Sequence, residues 1–171
     1  MPVAIKKYEF HITKTEFCGF IIKLRKFSMD LKKIKAIVNW QELGNVIELR
    51  LFLGFCNYYQ CFIAMWLKNI ELFTRLTKKN ELWKWQEEQR MLFKELKELF
   101  IVELILKIYT PSLPIVVKID VLDFVLGVYL VQKYPDGWHP VAYYSCKMTS
   151  LELNYNIYNK ELLGIVAVLK E

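Results

Sequence analysis

The spacing of apolar residues changes at the prolines Pro111 and Pro114. Through the middle of the chain, before these prolines, apolar residues recur every three or four positions, which predicts amphipathic helices. One such set is Leu49, Phe52, Leu53, Cys56 and Tyr59. After the prolines, short apolar runs separated by turn residues predict strands. Proline interrupts helices and central strands alike, so the two regions are expected to be separate parts of an α+β fold.

The pattern predicts the individual elements as well. We expect a β-hairpin over 10–22, helices over 28–40, 46–62, 66–77 and 86–101, strands over 115–120, 124–131 and 138–145, and a last helix from 149 onward. Ser28 or Asp30 is the expected N-cap of the first helix, and Thr149 or Ser150 that of the last. The expected inward stripe of the last helix is Tyr158, Leu162, Ile165, Val166 and Leu169. Three strands with one helix leave a sheet edge uncovered.

Charge and composition narrow the classes of protein. Hydrophobic residues make up 54% of the 171 residues, which excludes a disordered chain. The first 80 residues contain 14 Lys and Arg against 6 Asp and Glu, although the whole chain carries only +6. Such a basic region attracts a polyanion such as nucleic acid, with an ordinary solvated face as the alternative.

No apolar run reaches the ~18 residues of a membrane span, and no secretory signal is visible. We therefore expect an intracellular protein, either cytoplasmic or nuclear.

Two carboxylates are the candidates for chemistry. Asp120 ends an apolar strand, and Glu161 lies on the last predicted helix, one turn from Tyr158. If that helix packs on the sheet, both carboxylates could point into one cleft and hold divalent ions, as two-metal nucleases do. The alternative is an ordinary strand-end Asp and a surface Glu. The four cysteines and two histidines lack metal-site spacing.

Several motifs, in order along nearly the whole chain, carry a family resemblance. The sequences DVLDFVLG at 120–127, HPVAYYS at 139–145 and NYNIYNKELL at 154–163 resemble the start of the RNase H domain of gypsy-type LTR-retrotransposon Pol polyproteins. Upstream, EFCGF at 16–20 resembles the primer-grip segment of their reverse transcriptases. The sequence FLGFCNYYQCFI at 52–63 resembles the thumb, and LTKK at 76–79 with Trp85 resembles the junction.

The resemblance implies an organisation in three parts. Residues 1–27 would end the polymerase palm as a primer-grip hairpin, and 28–80 would form the helical thumb. Residues 81–171 would be a C-terminally truncated, RNase H-like β-β-β-α unit.

The resemblance also implies residue roles. Asp120 and Glu161 match the first two catalytic, metal-binding carboxylates of the family, and Asp123 matches a non-catalytic neighbour. The expected nucleic-acid-binding residues are Phe17, Gly19 and Phe20 in the primer grip and Gly54, Tyr58 and Tyr59 in the thumb. A glycine in the thumb helix lets backbone approach the nucleic acid closely.

The implied activity is RNA-directed DNA synthesis and cleavage of RNA–DNA hybrids, with Mg²⁺ as cofactor. The family's YxDD turn would lie before this chain and its later carboxylates after it. Two carboxylates are too few to position two ions, so we expect this chain alone to be inactive and magnesium binding to be doubtful. The expected partners are an RNA–DNA hybrid or template–primer duplex and the missing parts of the polyprotein. The alternative is a basic nucleic-acid-binding or repurposed interaction module without catalysis.

The departures from the family pattern indicate a degenerate copy. Leucines replace the family's prolines, uncharged residues replace its arginines, and asparagines replace its aspartates. The positions are Leu31, Leu43, Leu72, Gln60, Cys61, Cys146, Asn156 and Asn159. Each change is reachable by one C-to-T transition on one DNA strand or the other, which points to a mutated relic. Loss of arginine at 60 and 61 would weaken phosphate binding.

Overall fold

Two antiparallel sheets, joined by a helical layer, form the architecture of this chain. The computed structural model describes residues 10–102, 105–122 and 124–170. Its strands are β1 (Lys14–Phe17), β2 (Phe20–Lys23), β3 (Lys26–Met29), β4 (Ile105–Lys107), β5 (Ile115–Leu122), β6 (Val125–Tyr134) and β7 (Gly137–Lys147). Its helices are α1 (Leu31–Val38), α2 (Val46–Asn57), α3 (Trp66–Asn69), α4 (Glu71–Leu76), α5 (Glu87–Leu99) and α6 (Ile157–Val168). The expected α+β class is confirmed.

The N-terminal sheet has the antiparallel order β1-β2-β3-β4. Cys18 and Gly19 connect β1 to β2 with φ angles of 50° and 79°, the two left-handed residues of a type I′ hairpin turn. The hairpin was expected, but β3 and β4 were not. Ser28 belongs to β3, and Asp30 is the N-cap of α1, where its side chain accepts a hydrogen bond from the Lys32 N–H.

The helices enclose the main hydrophobic core. The predicted stripe of α2 is confirmed, because all of its members are buried: Leu49, Phe52, Leu53, Cys56 and Tyr59. Asn45 caps α2 by accepting a hydrogen bond from the Glu48 N–H. The same core includes Phe93 and Leu96 of α5. The boundary that we expected at 80/81 stays a prediction, and α5, which follows it, packs with the helices that precede it.

The C-terminal sheet has the order β5-β6-β7, and α6 covers one of its faces. The helix approaches through Gly164, where an added Cβ would lie 2.9 Å from Ile119 Cγ2 and 3.4 Å from Val128 Cγ2. The sheet needs this glycine for its close approach to the helix. The predicted inward stripe was wrong, because all five of its members are exposed, up to 77% for Tyr158 and Leu169. Apolar residues surround α6 on every side, so their spacing could not identify the buried face.

The predicted N-cap of the last helix was also wrong. Thr149 and Glu152 form a capping pair, with Thr149 N–H donating to Glu152 Oε2 at 2.6 Å, but they begin a single 3₁₀ turn (Glu152–Asn154). Tyr155 is extended, which ends that turn. Asn156 then caps α6 by accepting a hydrogen bond from the Asn159 N–H at 2.9 Å.

The helical layer meets the C-terminal sheet at Met65. This residue precedes α3 in the left-handed conformation, with φ of 52°, and its side chain occupies the space where Gly127 lacks a Cβ. Beside it, the Leu67 N–H donates a hydrogen bond to Ser145 Oγ at 3.4 Å. Met65 therefore packs onto the face of the sheet opposite α6.

Candidate functional site

The Cys18–Gly19 turn is fixed against the end of α2. Tyr58 Oη donates a hydrogen bond to the Cys18 carbonyl at 2.8 Å. The Tyr58 ring stacks on Phe20, with centroids 5.1 Å apart and planes at 25°. The Asp30 N–H donates to the Gly19 carbonyl at 3.3 Å. The turn and the helix therefore form one continuous surface, on which Phe17 and Tyr58 are exposed.

Tyr59 supports this turn from below. Only 2% of Tyr59 is exposed, and its Oη would lie 2.8 Å from a Cβ placed on Gly19. Gly19 is required both for this close approach and for its positive φ. Burial raises the pKa of Tyr59, and the nearby Tyr58 and Asp30 raise it further, so the hydroxyl stays neutral. The burial leaves almost no surface for ligand contact, and Tyr59 instead positions the turn.

A cleft of about 280 Å³ opens beside the turn. Its lining comprises Cys18, Gly19, Lys33, Phe55, Tyr58 and Tyr59. Lys33 supplies the cationic group, and the exposed ring of Tyr58 supplies aromatic surface. This combination suits a phosphate with an adjoining planar base.

An exposed stripe runs along α2 up to the turn. Its members are Ile47, Leu51, Gly54 and Tyr58, all exposed. At ~100° per residue they fall within a sector of about 60°. A Cβ on Gly54 would meet nothing within 4 Å, so the glycine leaves a gap in the side-chain surface. We call these four residues the α2 stripe.

Sequence reasoning identified two members of the α2 stripe and missed two. Gly54 and Tyr58 came from the family motif, whereas Ile47 and Leu51 precede that motif. Their spacing to Gly54 and Tyr58 is the helical signal that could have found them. Leu51 is 63% exposed and lies in line with the exposed Ile47 and Tyr58, so these residues form a continuous row rather than isolated exposed positions.

Two uncharged residues follow the stripe at the positions where the resemblance implies arginine. Gln60 is exposed and Cys61 is half-buried. Burial raises the pKa of the Cys61 thiol, so it stays neutral. Neither side chain can form the charged fork with which arginine holds a phosphate.

Asp120 belongs to a strand of the C-terminal sheet, and Glu161 belongs to the helix that packs on one face of that sheet. Asp120 is exposed on β5 and pairs with Gly127 of β6. Ile119 touches Gly164 of α6, and successive strand residues point to opposite faces. Asp120 therefore leaves the backbone on the face that Met65 covers, whereas Glu161 is exposed on α6 at the other face.

This arrangement does not fit a magnesium pair. Within the described ranges, no three His, Cys, Asp or Glu side chains are grouped closely enough to hold a metal ion. Asp123, the expected non-catalytic neighbour, lies outside the described residues. We therefore derive no chemical step through a metal. In the same part of the chain, no helix is long and apolar enough to cross a membrane.

Comparison with protein families matches residues 85–171 to the RNase H-like domain found in reverse transcriptase. Curated relatives include the Tf2-3 and Tf2-4 transposon polyproteins of Schizosaccharomyces pombe. Each is 33% identical over 165 residues, covering 96% of this chain. The chain spans only 12% of the length of these relatives.

Solved structures show the same fold. The foamy viral protease-reverse transcriptase in complex with RNA/DNA hybrid superimposes with a TM-score of 0.79 at 23% identity, covering 96% of this chain and 22% of that one. The same viral protein in complex with dsDNA gives a TM-score of 0.76 at 22% identity, covering 92% of this chain and 33% of the other. The likeness spans the helical layer and both sheets.

Proposed function

This chain belongs to the family of RNase H-like domains found in reverse transcriptases, and we propose that it is the template–primer-binding segment of a retrotransposon reverse transcriptase. In this proposal, residues 1–27 end the palm, 28–80 form the thumb and 81–171 begin the RNase H-like unit. The observation that carries the proposal is the joint surface of the Cys18–Gly19 turn and the α2 stripe. Its ligand is an RNA–DNA hybrid or a template–primer duplex, as in the foamy viral complex with RNA/DNA hybrid.

The shape of the α2 stripe supports a duplex ligand. From Ile47 to Tyr58 the stripe extends about 16 Å, at 1.5 Å per residue. It carries no charged side chain, and Gly54 lets the helix backbone approach. A-form helices present a wide, shallow minor groove that proteins recognise by shape. A smooth helix face suits that groove, and Lys33 beside the turn would neutralise a phosphate at its end.

The proposal assigns different tasks to the site residues. Phe17 and Tyr58 contact the nucleic acid, because they are exposed. Gly19 and Phe20 hold the turn, and Tyr59 supports it from the core. Asp120 and Glu161 are remnants of the family's carboxylate set and do not cleave the ligand in this chain.

Hybrid binding by two matched variants tests this proposal. Leu51→Glu places a negative charge on the α2 stripe, where Leu51 is 63% exposed. Leu82→Glu makes the same change at a leucine outside the stripe that is 74% exposed. We expect Leu51→Glu to weaken hybrid binding at least tenfold in fluorescence anisotropy, with Leu82→Glu close to wild type. Equal weakening by both would mean that only net charge matters, which contradicts a groove contact at α2.

Cleavage is tested separately. We expect no magnesium-dependent cutting of the hybrid on a denaturing gel. Cutting that Asp120→Asn abolishes would contradict the assignment of Asp120 as a remnant.

A second candidate is an interaction module without catalysis. The observation that favours it is the apolar outer face of α6, where Tyr158, Leu162 and Leu169 are exposed. Contiguous exposed apolar surface commonly marks a protein interface. The longer polyprotein relatives carry further chain that could cover this face. A wild-type protein that binds no hybrid, and that pairs through α6 in sedimentation measurements, would favour this candidate.

A further inference from the structure

The N-terminal sheet aligns four lysines in one row across its strands. Lys14 pairs with Lys23, Lys23 pairs with Lys26, and Lys26 pairs with Lys107. Residues paired directly across antiparallel strands point to the same face. With strands 4.7–4.9 Å apart, the row extends about 14 Å. We call these residues the lysine row. The spacing along the sequence gives no hint of it, because only the strand register brings them together.

Three of the four lysines are free to bind an anion. Lys14, Lys23 and Lys26 are exposed, and no salt bridge is formed by any of them within the described residues. Lys107 differs, because its Nζ lies 3.0 Å from Asp136 Oδ2 and its side chain is largely buried. Lys107 therefore anchors one end of the row, and the other three supply its available charge.

Without a bound anion, the lysine row destabilises the N-terminal sheet. Like charges placed directly opposite each other destabilise a strand pair, and here the arrangement repeats across neighbouring strands. Asp136 is held by Lys107. Among the described residues, neither Glu16 nor Asp30, which lie near Lys14, forms a salt bridge with the row. A bound polyanion would remove the repulsion by replacing the counterions of all three lysines at once.

We propose that the lysine row is a second nucleic-acid contact, which holds the phosphodiester backbone on the outer face of the N-terminal sheet. It rests on the proposed function in one respect, that the ligand is nucleic acid. Lys14 lies four residues before Cys18, about 13 Å along the strand from the Cys18–Gly19 turn. A nucleic-acid strand leaving the turn reaches the row within a few nucleotides. The row therefore extends the contact beyond the α2 stripe.

Salt dependence of binding separates this contact from the α2 stripe. The test variant is Lys14→Gln/Lys23→Gln/Lys26→Gln, and the matched control is Lys78→Gln/Lys79→Gln/Lys84→Gln, which removes three exposed lysines elsewhere. Each neutralised phosphate contributes about 0.9 to the slope of log K against log salt. We expect the row variant to lower the magnitude of that slope by two to three units. Its affinity deficit should then shrink about 40-fold between 50 and 200 mM salt.

The outcomes distinguish the two proposals. Equal slope changes in the row variant and its control would overturn the lysine row, even if Leu51→Glu abolishes binding. A reduced slope in the row variant together with wild-type binding by Leu51→Glu would support the row and contradict the α2 contact. Thermal unfolding checks the fold, since removing like charges should leave the row variant at least as stable as wild type.

Discussion

Met65 occupies the position in front of Gly127 that a side chain at 127 would need. Met65 belongs to the segment before α3, and Gly127 lies in the middle strand of the C-terminal sheet. The two residues thus form a close contact between the helical layer and that sheet. Asp120 lies on the same face of the sheet and stays exposed, in a cleft that Met65 also lines.

Gly127→Ala should destabilise the protein by about 1–2 kcal/mol, because the added Cβ overpacks against Met65. The thioether is flexible, which limits the cost. In a Met65→Ala background the same change should cost less, giving a coupling energy of about 0.5–1.5 kcal/mol in urea unfolding. Additive effects of the two substitutions would contradict a direct contact.

Gly54→Ala is predicted to raise stability while it weakens binding. An exposed glycine inside a helix costs about 0.5–1 kcal/mol relative to alanine, and the new Cβ meets nothing at this position. The same methyl group would hold the helix backbone away from a duplex. Chemical denaturation and hybrid anisotropy measure the two effects on one variant. Unchanged affinity would show that close backbone approach at Gly54 is unnecessary.

Lys23→Glu is predicted to stabilise the N-terminal sheet and to impair the lysine row. The substitution turns two like-charge pairs, with Lys14 and Lys26, into two opposite-charge pairs. Each cross-strand pair contributes roughly 0.2–1 kcal/mol, and salt screens it. The melting temperature should therefore rise most at low salt. A gain that does not depend on salt would indicate another cause.

The loss of thermal stability at acid pH is predicted to depend partly on Glu42. Its Oε1 accepts hydrogen bonds from Arg90 Nε at 2.6 Å and Trp85 Nε1 at 2.8 Å. Both hydrogen bonds, and the one from Arg90 most strongly, hold the pKa of the Glu42 carboxyl below its ordinary value of 4.5. A carboxylate with a lowered pKa contributes stability above its unfolded pKa and loses that contribution as the pH falls through the folded pKa.

The measurement is the melting temperature between pH 6 and 3, a range that spans ordinary carboxyl pKa values. Glu42→Gln should melt at a lower temperature than wild type at pH 6, and the difference should close below pH 4.5. Glu81→Gln is the matched control, because Glu81 is exposed and forms no salt bridge within the described residues. A difference between wild type and Glu42→Gln that persists to pH 3 would contradict the role of the charge.

Local spacing predicted those elements whose buried face is distinct from the rest. The buried face of α2, with Leu49, Phe52 and Cys56, is one such case, and the Cys18–Gly19 hairpin is another. Spacing did not predict the buried face of α6, because apolar side chains surround this helix and a single glycine determines its contact with the sheet. Strand β4 escaped prediction because its three residues pair with β3, which lies far away in the sequence.

The candidate site could be predicted only as far as motifs reach. The motifs identified the turn and the end of α2, and the structure joins them through Tyr58 and Cys18. The motif assigned Tyr59 to ligand binding, whereas its helical spacing with Phe52 and Cys56 correctly predicted that it is buried. Asn156, where the resemblance implies an aspartate, caps α6 as well as an aspartate would, so the asparagine has no structural cost.

The pairing of β3 with β4 has a practical consequence for dissecting this polypeptide. A fragment starting at residue 85, where the family match begins, would lose the strand to which β4 binds and the helices that shelter Phe93 and Leu96. Such a fragment would expose an unpaired strand edge and an apolar helix face, and it would tend to aggregate during purification. The segment that the family model matches is therefore shorter than the segment that is expected to fold on its own.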